Sequence, residues 1–372
     1  MTARSLSLGG DSHIFDLRVA RNLVLPAVNG LVLRRGKAGP TSTVPAHHGT
    51  CYTWTYERDQ PRLAKLTRQA RAGQWDPDVH LDWNIRVDVQ DPEVELFDEA
   101  SSPLAEFQTY RNLPASAQRE HRAAMLAWMM SQFLHGEQGA LFAACQITES
   151  IAWYDAKLYG ATQVADEGRH VEVFQRYLDD KLQRRYAIND NLYVILESLS
   201  RDPRWDLKFL GMQILVEGLA LGAFGTLRMS TKEPLLRELL RLVITDEARH
   251  VHFGVVALER FYSEELPEAE RREREDWAYE MCVLMRNRFL AHEYYEEYWA
   301  HAVSRREWDR ISLESTYMRR FRHTMFRRLV PNLRRIGLMT DRVRSYYEKL
   351  GLLEWEKEKA APELTADDLL AA

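Results

Sequence analysis

Asp166-Glu167-Gly168-Arg169-His170 and Asp246-Glu247-Ala248-Arg249-His250 are two near-identical pentads, 80 residues apart. Each holds Glu-x-x-His inside a long stretch with helical patterning. On an α-helix, positions i and i+3 project from nearly the same face, so each pentad offers one carboxylate and one imidazole to one point. Two such helices facing each other supply two glutamates and two histidines.

Working outward, each pentad has a glutamate 30 residues upstream: Glu137 before Glu167, and Glu217 before Glu247. Both lie in apolar runs, Phe133 to Phe142 and Ile214 to Gly222. A bare carboxylate there is costly unless it is protonated, paired or on a metal. Ser230-Thr231, followed by Pro234, reads as stop, cap and restart, with Glu217 and Glu247 each 13 residues from its edges. In an antiparallel hairpin those two residues sit level, roughly 20 Å from the turn at 1.5 Å per residue. The first half has Thr148-Glu149-Ser150 near its midpoint.

One glutamate from each of two helices, with Glu-x-x-His from each of two others, is the pattern of a four-helix carboxylate metal site. On Glu137, Glu167, His170, Glu217, Glu247 and His250 the sequence resembles the ferritin-like non-haem di-iron carboxylate proteins, over about residues 117 to 260. The resemblance implies an all-α fold: a ferritin-like four-helix bundle with extra C-terminal helices and a mixed, loop-rich N-terminal segment. The expected division is an irregular segment packing on the bundle (1–115), the di-iron bundle (116–262), additional helices (263–353) and a charged tail that frays (354–372). It also implies two iron ions, with Mn/Fe open as an alternative, and O2 as co-substrate. Neutral imidazole suits Fe(II), and four carboxylates balance the four charges of two Fe(II).

A ligating histidine usually donates its other N–H to a carboxylate. Asp166 and Asp246 are the candidates, each reaching across to a His or Arg of the opposite pentad, with Arg169 and Arg249 pairing them. A plain ion-pair network is compatible with that role. Ala140, Ala144, Phe174, Ala220, Leu221, Phe224 and Val243 are neighbours in helix phase. They read either as core or as the wall of an apolar pocket beside the metals.

The D-E-x-R-H form resembles the O2-activating branches: hydroxylases, desaturases and N-oxygenases. Phe174 stands where the small subunit of ribonucleotide reductase has its radical tyrosine. Val243 stands where arylamine N-oxygenases have a third histidine, for which His135 or His252 could substitute. Leu221 stands where bacterial multicomponent hydroxylases have a threonine. Trp128, Trp153 and Tyr154 remain redox-active candidates. The reading favoured is a monooxygenase that hydroxylates or N-oxygenates a small organic substrate. The alternatives are a desaturase or oxidase, a radical-generating or ligand-binding oxidase subunit, a ferroxidase or storage protein, and a non-catalytic partner subunit. Electrons would come from a separate ferredoxin or reductase, because no Gly-rich dinucleotide fingerprint or Fe–S cysteine spacing is present. A homodimer is expected from the resemblance.

Composition sets outer bounds. The chain has 372 residues, 45% hydrophobic and 28% charged, with a formal net charge of −5. Nothing global points to nucleic acid or membrane. Residues 1–10 lack the apolar core of a signal peptide, and the apolar run from Leu23 to Leu33 is interrupted by Pro26, Asn29 and Gly30 and is too short to span a bilayer. Cys51, Cys145 and Cys282 form no zinc or disulfide framework. A reducing cytoplasm is the expected compartment.

Along the chain, Leu63 to Ala72 reads as a basic helix, Gly73 to Pro77 as a turn and Asp82 to Val89 as a short strand. His47, His48 and Cys51 read as a polar loop. Helices are expected from Ser116, as N-cap, to about Thr148, from Ser150 to Leu182, from Asp202 to Met229 and from Thr231 to Tyr262. Others start at Leu266 and at the Ser304 capping box, the latter broken at Pro331. A last one ends at Gly351. His292 to His301 reads as an aromatic helix packing on the bundle or on a dimer partner. The basic stretch 317–344 is either a solvated helix face or a docking surface for an acidic partner.

Overall fold

Four long helices that carry the six ligand candidates form the centre of the molecule. The computed structural model describes residues 16–97, 102–365 and 368. The signal-peptide reading at residues 1–10 lies outside them.

Two helices and two single turns precede the bundle's first long helix: α1 (Leu17–Ala27), α2 (Pro61–Ala72) and the single turns α3 (Pro77–His80) and α4 (Gln108–Arg111). The long helices follow as α5 (Ala115–Ser150) and α6 (Tyr154–Tyr177), then α7 (Asp190–Arg201). Next come α8 (Trp205–Phe209), the π-helical stretch Leu210–Val216 and α9 (Glu217–Ser230), stacked as one helix, then α10 (Pro234–Arg260). The C-terminal layer is α11 (Glu268–Asn287), α12 (His292–Tyr298), α13 (Arg305–Glu314), α14 (Thr316–Arg335) and α15 (Asp341–Lys349). No strand occurs among the described residues, so Asp82 to Val89 is turn and coil; Asp82 caps its own turn by accepting from the Asn84 N–H at 3.0 Å.

The bundle is two hairpins, α5–α6 and α9–α10. Each joins its helices through three residues, Ile151–Trp153 in one and Thr231–Glu233 in the other. Glu233 accepts from the N–H groups of Leu235 and Leu236 at 2.8 and 2.7 Å, which starts α10 just before Pro234. Glu137 and Glu217 therefore each precede a helix end by 13 residues, and Glu167 and Glu247 each follow a helix start by 13, counting 137 to 150, 154 to 167, 217 to 230 and 234 to 247. Both hairpins place their glutamates level.

The helix from Trp205 to Ser230 is apolar and long enough to cross a membrane, but 94% of its apolar window is buried inside the protein. It is a core helix, with α10 on one side and α14 on another. A helix that is hydrophobic all round is expected at the centre of a large helical protein.

Several boundaries differ from expectation. Ser116 is not the N-cap of α5; Pro114 is, with no side-chain bond. The helix α7 was not anticipated; the Asn189 side chain caps it by accepting from the Asn191 N–H at 3.0 Å. The break after Ser304 falls at Ser315, whose hydroxyl accepts from the Met318 N–H at 3.1 Å to start a new helix. Pro331 lies inside α14, where the Asn332 amide donates back to the Arg328 carbonyl at 2.8 Å.

The N-terminal segment is more ordered than an irregular wrapper. Helix α2 packs against α6 and α10, and α1 against α7. His48 pairs with Glu149 at 2.7 Å and joins no metal-binding group among the described residues. The described part of the tail from Glu354 packs on the C-terminal helices. Trp355 lies tilted against His323, Arg344 pairs with Glu356, and the Ala361 N–H donates to Asn332 at 2.8 Å. Much of the basic stretch is used internally. Arg322 caps the carbonyls of Ser312 and Leu313, Arg335 pairs with Glu259, and Arg342 pairs with Glu275 and Asp276. The aromatic helix α12 packs on α5, where His121 meets the Tyr294 hydroxyl at 2.7 Å.

Candidate metal centre

All six ligand candidates converge at the middle of the bundle. Glu137 comes from α5, Glu167 and His170 from α6, Glu217 from α9, and Glu247 and His250 from α10. None is more than 5% exposed. They form two overlapping groups, Glu137–Glu167–His170–Glu247 and Glu167–Glu217–Glu247–His250, and within each group the ligand atoms lie within 4.8 Å of one another. Glu167 and Glu247 belong to both groups and are placed to bridge. Glu137 with His170, and Glu217 with His250, stand at opposite flanks.

Each imidazole presents Nδ1 inward. His170 Nδ1 lies 3.1 Å from Glu247, 3.3 Å from Glu137 and 3.4 Å from Glu167. His250 Nδ1 lies 3.0 Å from Glu167 and 3.5 Å from Glu247. Several of these atoms are close without being hydrogen-bonded: Glu167 Oε2, Glu217 Oε2, both Glu247 oxygens and His250 Nδ1 have no hydrogen-bond partner in the protein. Lone pairs aimed at a shared point produce this geometry. An unpaired buried charge costs several kcal/mol, so the donor set fits two divalent cations, with four carboxylates against four positive charges.

The protonation pattern leads to the same balance. Burial raises Glu137 and Glu217 well above the ordinary carboxylate range, and the nearby Glu247 adds to both. Burial disfavours charge on His170 and His250, but the surrounding carboxylates outweigh it and raise both. Burial also acts against Glu167, and the two histidines overcome it and hold Glu167 low. The raised groups favour their protonated forms, and ligation by metal would displace those protons.

The outer imidazole nitrogens face the aspartates of the opposite pentad. His170 Nε2 lies 3.2 Å from Asp246, and His250 Nε2 lies 3.3 Å from Asp166. This crossed pairing fixes the ring orientation. Arg169 donates to Asp166 at 2.6 Å and to Asp246 at 2.9 Å, and Arg249 donates to Asp246.

Three supporting residues escaped the sequence reading. Gln163, one turn before Glu167, donates to Glu167 at 3.0 Å and to Glu217 at 3.1 Å. Its signal was a polar residue on the ligand face of α6. Gln74 donates to Asp166 at 2.7 Å, and the Trp75 indole donates to Asp246 at 2.7 Å. These two come from the turn after α2, and no local pattern links them to pentads so distant in the chain. The N-terminal segment thereby closes the outer side of both aspartates.

Of the pocket candidates, Ala140, Ala220 and Phe224 line a small cavity of about 20 Å³ with Gln132, Phe133, Glu137, Glu217, Glu247 and Arg288. Ala144, Phe174, Leu221 and Val243 are buried core outside that wall. Phe133, Phe174 and Phe224 form an aromatic cluster with centroids 4.7 to 6.0 Å apart. His135 bonds the Tyr186 carbonyl at 2.9 Å, and His252 stands beside Arg62 and Lys65, where burial and those charges lower it to about 4. Neither joins the ligand groups. Trp128 donates to Glu293, Trp153 packs on Trp205, and Tyr154 packs on Tyr56. By contrast Tyr159 is fully buried, packs on Phe253 and has a hydroxyl with no partner.

The two overlapping groups, contributed by four helices, have the donor arrangement of a four-helix carboxylate metal site. No protein-family model matches the chain, and no curated protein matches it. Among solved structures, it is similar to R2-like ligand-binding oxidases. One is a glycine-to-phenylalanine mutant with an anaerobically reconstituted Mn/Fe cofactor, at 18% identity and TM-score 0.46, covering 74% of this chain and 94% of that one. Another is a tyrosine-to-phenylalanine mutant with an aerobically reconstituted Mn/Fe cofactor, at 17% identity and TM-score 0.45, covering 74% and 93%.

Proposed function

We propose that the chain is an O2-dependent di-metal oxidoreductase, and within that class a monooxygenase acting on a small organic substrate. The observation that carries this reading is the cavity that touches Glu137, Glu217 and Glu247 and is otherwise walled largely by small and aromatic side chains. Glu167 and Glu247 would bridge two ions, with Glu137 and His170 completing one site and Glu217 and His250 the other. Two iron ions, or one manganese and one iron, would supply O2 reduction there.

The protein's own residues do the rest. The crossed Asp–His pairs hold each Nδ1 inward. Gln163 fixes one oxygen of Glu167 and one of Glu217. Phe133, Phe174 and Phe224 keep water from the cavity side. The electron donor is an external ferredoxin or reductase, the active form is a homodimer, and the compartment is a reducing cytoplasm. Neither nucleic acid nor a membrane is a partner.

A second reading, an oxidase or radical-generating Mn/Fe subunit, is favoured by one feature: the buried, unpartnered Tyr159 hydroxyl near His250. The deciding experiment loads the protein anaerobically, measures metal content, and follows O2 uptake with 18O2 during a substrate screen. Two metals per chain and 18O in product support the monooxygenase. Two metals, no labelled product and a tyrosyl signal that vanishes in Tyr159→Phe support the second reading. Failure to retain two metals removes both.

A further inference from the structure

The basic stretch 317–344 leaves a remainder once its internal pairs are removed. Arg327, Arg335, Arg342 and Arg344 pair with Glu358, Glu259, Glu275 and Glu356. Arg319 and Arg322, one turn apart on α14, form no ion pair among the described residues. Arg322 uses two N–H groups on the Ser312 and Leu313 carbonyls, at 3.3 and 2.6 Å. Arg319 is exposed, and its side chain makes no hydrogen bond among the described residues.

Both arginines line one cleft, together with Arg286 of α11. The cleft measures about 240 Å³, against about 20 Å³ for the cavity beside the metal centre, and the two share no lining residue. Its other walls are mostly hydrocarbon: Val283 of α11, Phe326 of α14, and Leu350 and Leu352 from the turn after α15. No acidic side chain lines it among the described residues, and His323 on its wall is bonded to Glu354 at 2.6 Å. The three guanidiniums are near enough to feel one another. Burial, then Arg286 and Arg319, push Arg322 down to about 10. It is still charged at neutral pH, so the cleft holds positive charge of one sign against apolar walls. Such a cleft focuses its field and concentrates anions.

We infer that this cleft binds an organic phosphate monoester, with its phosphate on Arg319, Arg322 and Arg286 and its apolar body against Val283, Phe326 and Leu352. A phosphate dianion answers three cations better than a single carboxylate does, and guanidinium forks match phosphate oxygens. Inorganic phosphate would leave the hydrocarbon walls unused, so the ligand carries an apolar group. The site is separate from the metal centre, and the inference does not depend on the oxidation proposed there.

The test titrates the metal-loaded full chain with phenyl phosphate, inorganic phosphate and phenol, by calorimetry at about 0.1 M salt, where distant surface charges are screened. Phenyl phosphate should bind about tenfold or more tightly than inorganic phosphate, because only it covers the hydrocarbon walls. Phenol should not bind at the same concentrations. Arg319→Gln should weaken phenyl phosphate about tenfold, in a protein that stays folded because that side chain holds nothing else. Arg322→Gln should weaken it at least as much; if losing the two carbonyl bonds unfolds that variant, Arg319→Gln decides alone. Arg320→Gln removes the same charge from the next residue, which is exposed and does not line the cleft. It should leave the affinity within about twofold. No binding of phenyl phosphate overturns the assignment, as does binding no tighter than that of inorganic phosphate or of phenol. Equal losses in Arg319→Gln and Arg320→Gln would mean diffuse surface attraction and overturn it too. Binding that survives Arg319→Gln would place the phosphate elsewhere, the metals included, and is equally fatal.

Discussion

The two ends of the metal centre are built from residues 80 positions apart and are not alike. Phe133, Phe174, Phe224 and Val243 lie at one end. The residues 80 away are Gln213, Gly254, Ala144 and Gln163. The first end is apolar and opens into the cavity. The second is closed by amides: Gln163 holds Glu167 and Glu217, and Gln213 donates to Gln163 at 3.4 Å. The six ligand candidates obey the repeat, and their surroundings break it. One end is therefore apolar beside the cavity, and the other holds carboxylates in place.

The harshest way to break the comparison is to remove what both ends share. Glu167→Ala or Glu247→Ala should reduce metal content from about two ions per chain to near zero, because each residue serves both sites. Glu137→Ala or Glu217→Ala should cost mainly one ion. Elemental analysis after anaerobic loading reads the difference. Equal losses from shared and flanking ligands would mean the two groups do not act as two sites.

Acidity should act on both flanks together. His170, His250, Glu137 and Glu217 are all raised, so metal binding competes with protons at these groups. Loading should release protons, with affinity falling as pH falls and rising as pH rises. Calorimetry in two buffers of different ionisation enthalpy counts them. A release near zero would contradict the charge balance.

Gln163→Val copies the residue found at position 243 into the amide end. It should weaken metal binding about 10- to 100-fold, chiefly at the ion next to Glu217. Competition against a chelator checks this, and an unchanged affinity would show that the amide end is only filler. The smallest effect is expected at Gly254, where a Cβ would meet Gln213 Cβ at 2.6 Å. Gly254→Ala should cost about 1 kcal/mol of stability, seen as a lower denaturation midpoint with metal content unchanged.

The centre was legible because its chemistry is local. Two Glu-x-x-His pairs and two glutamates in apolar runs announce themselves through helix geometry and the cost of burying charge. The hairpin at Thr231 was legible from its punctuation. Gln163 was within reach, since it shares a face with Glu167. Gln74 and Trp75 were not, because their bonds to the aspartates span 92 and 171 positions and depend on how α2 docks. Arg288 follows Met285-Arg286-Asn287 and reads as the charged end of a helix; only its burial distinguishes it. Helix α7 lies just before Asp202-Pro203, which is the stronger start signal in the sequence. At Ser315 a cap begins α14, and Pro331 stays inside that helix, where Val330, Pro331 and Leu333 are all buried.

The π-helical stretch Leu210–Val216 stands immediately before Glu217. Its wider turns hold more residues over the same length than an α-helix would. Removing a single residue there would leave all six ligand candidates in the sequence and every composition statistic nearly unchanged. Yet closing the wide turn into ordinary α-helix would leave both ends in register, with Asp206 still on Arg274 and Tyr262 and Glu217 still in the centre. The same deletion in the α-helical turns on either side would rotate one end by about 100° against the other. Of two relatives that each lack one residue and keep every letter of the motif, the one with its gap inside Leu210–Val216 is the one expected to keep the geometry of the centre.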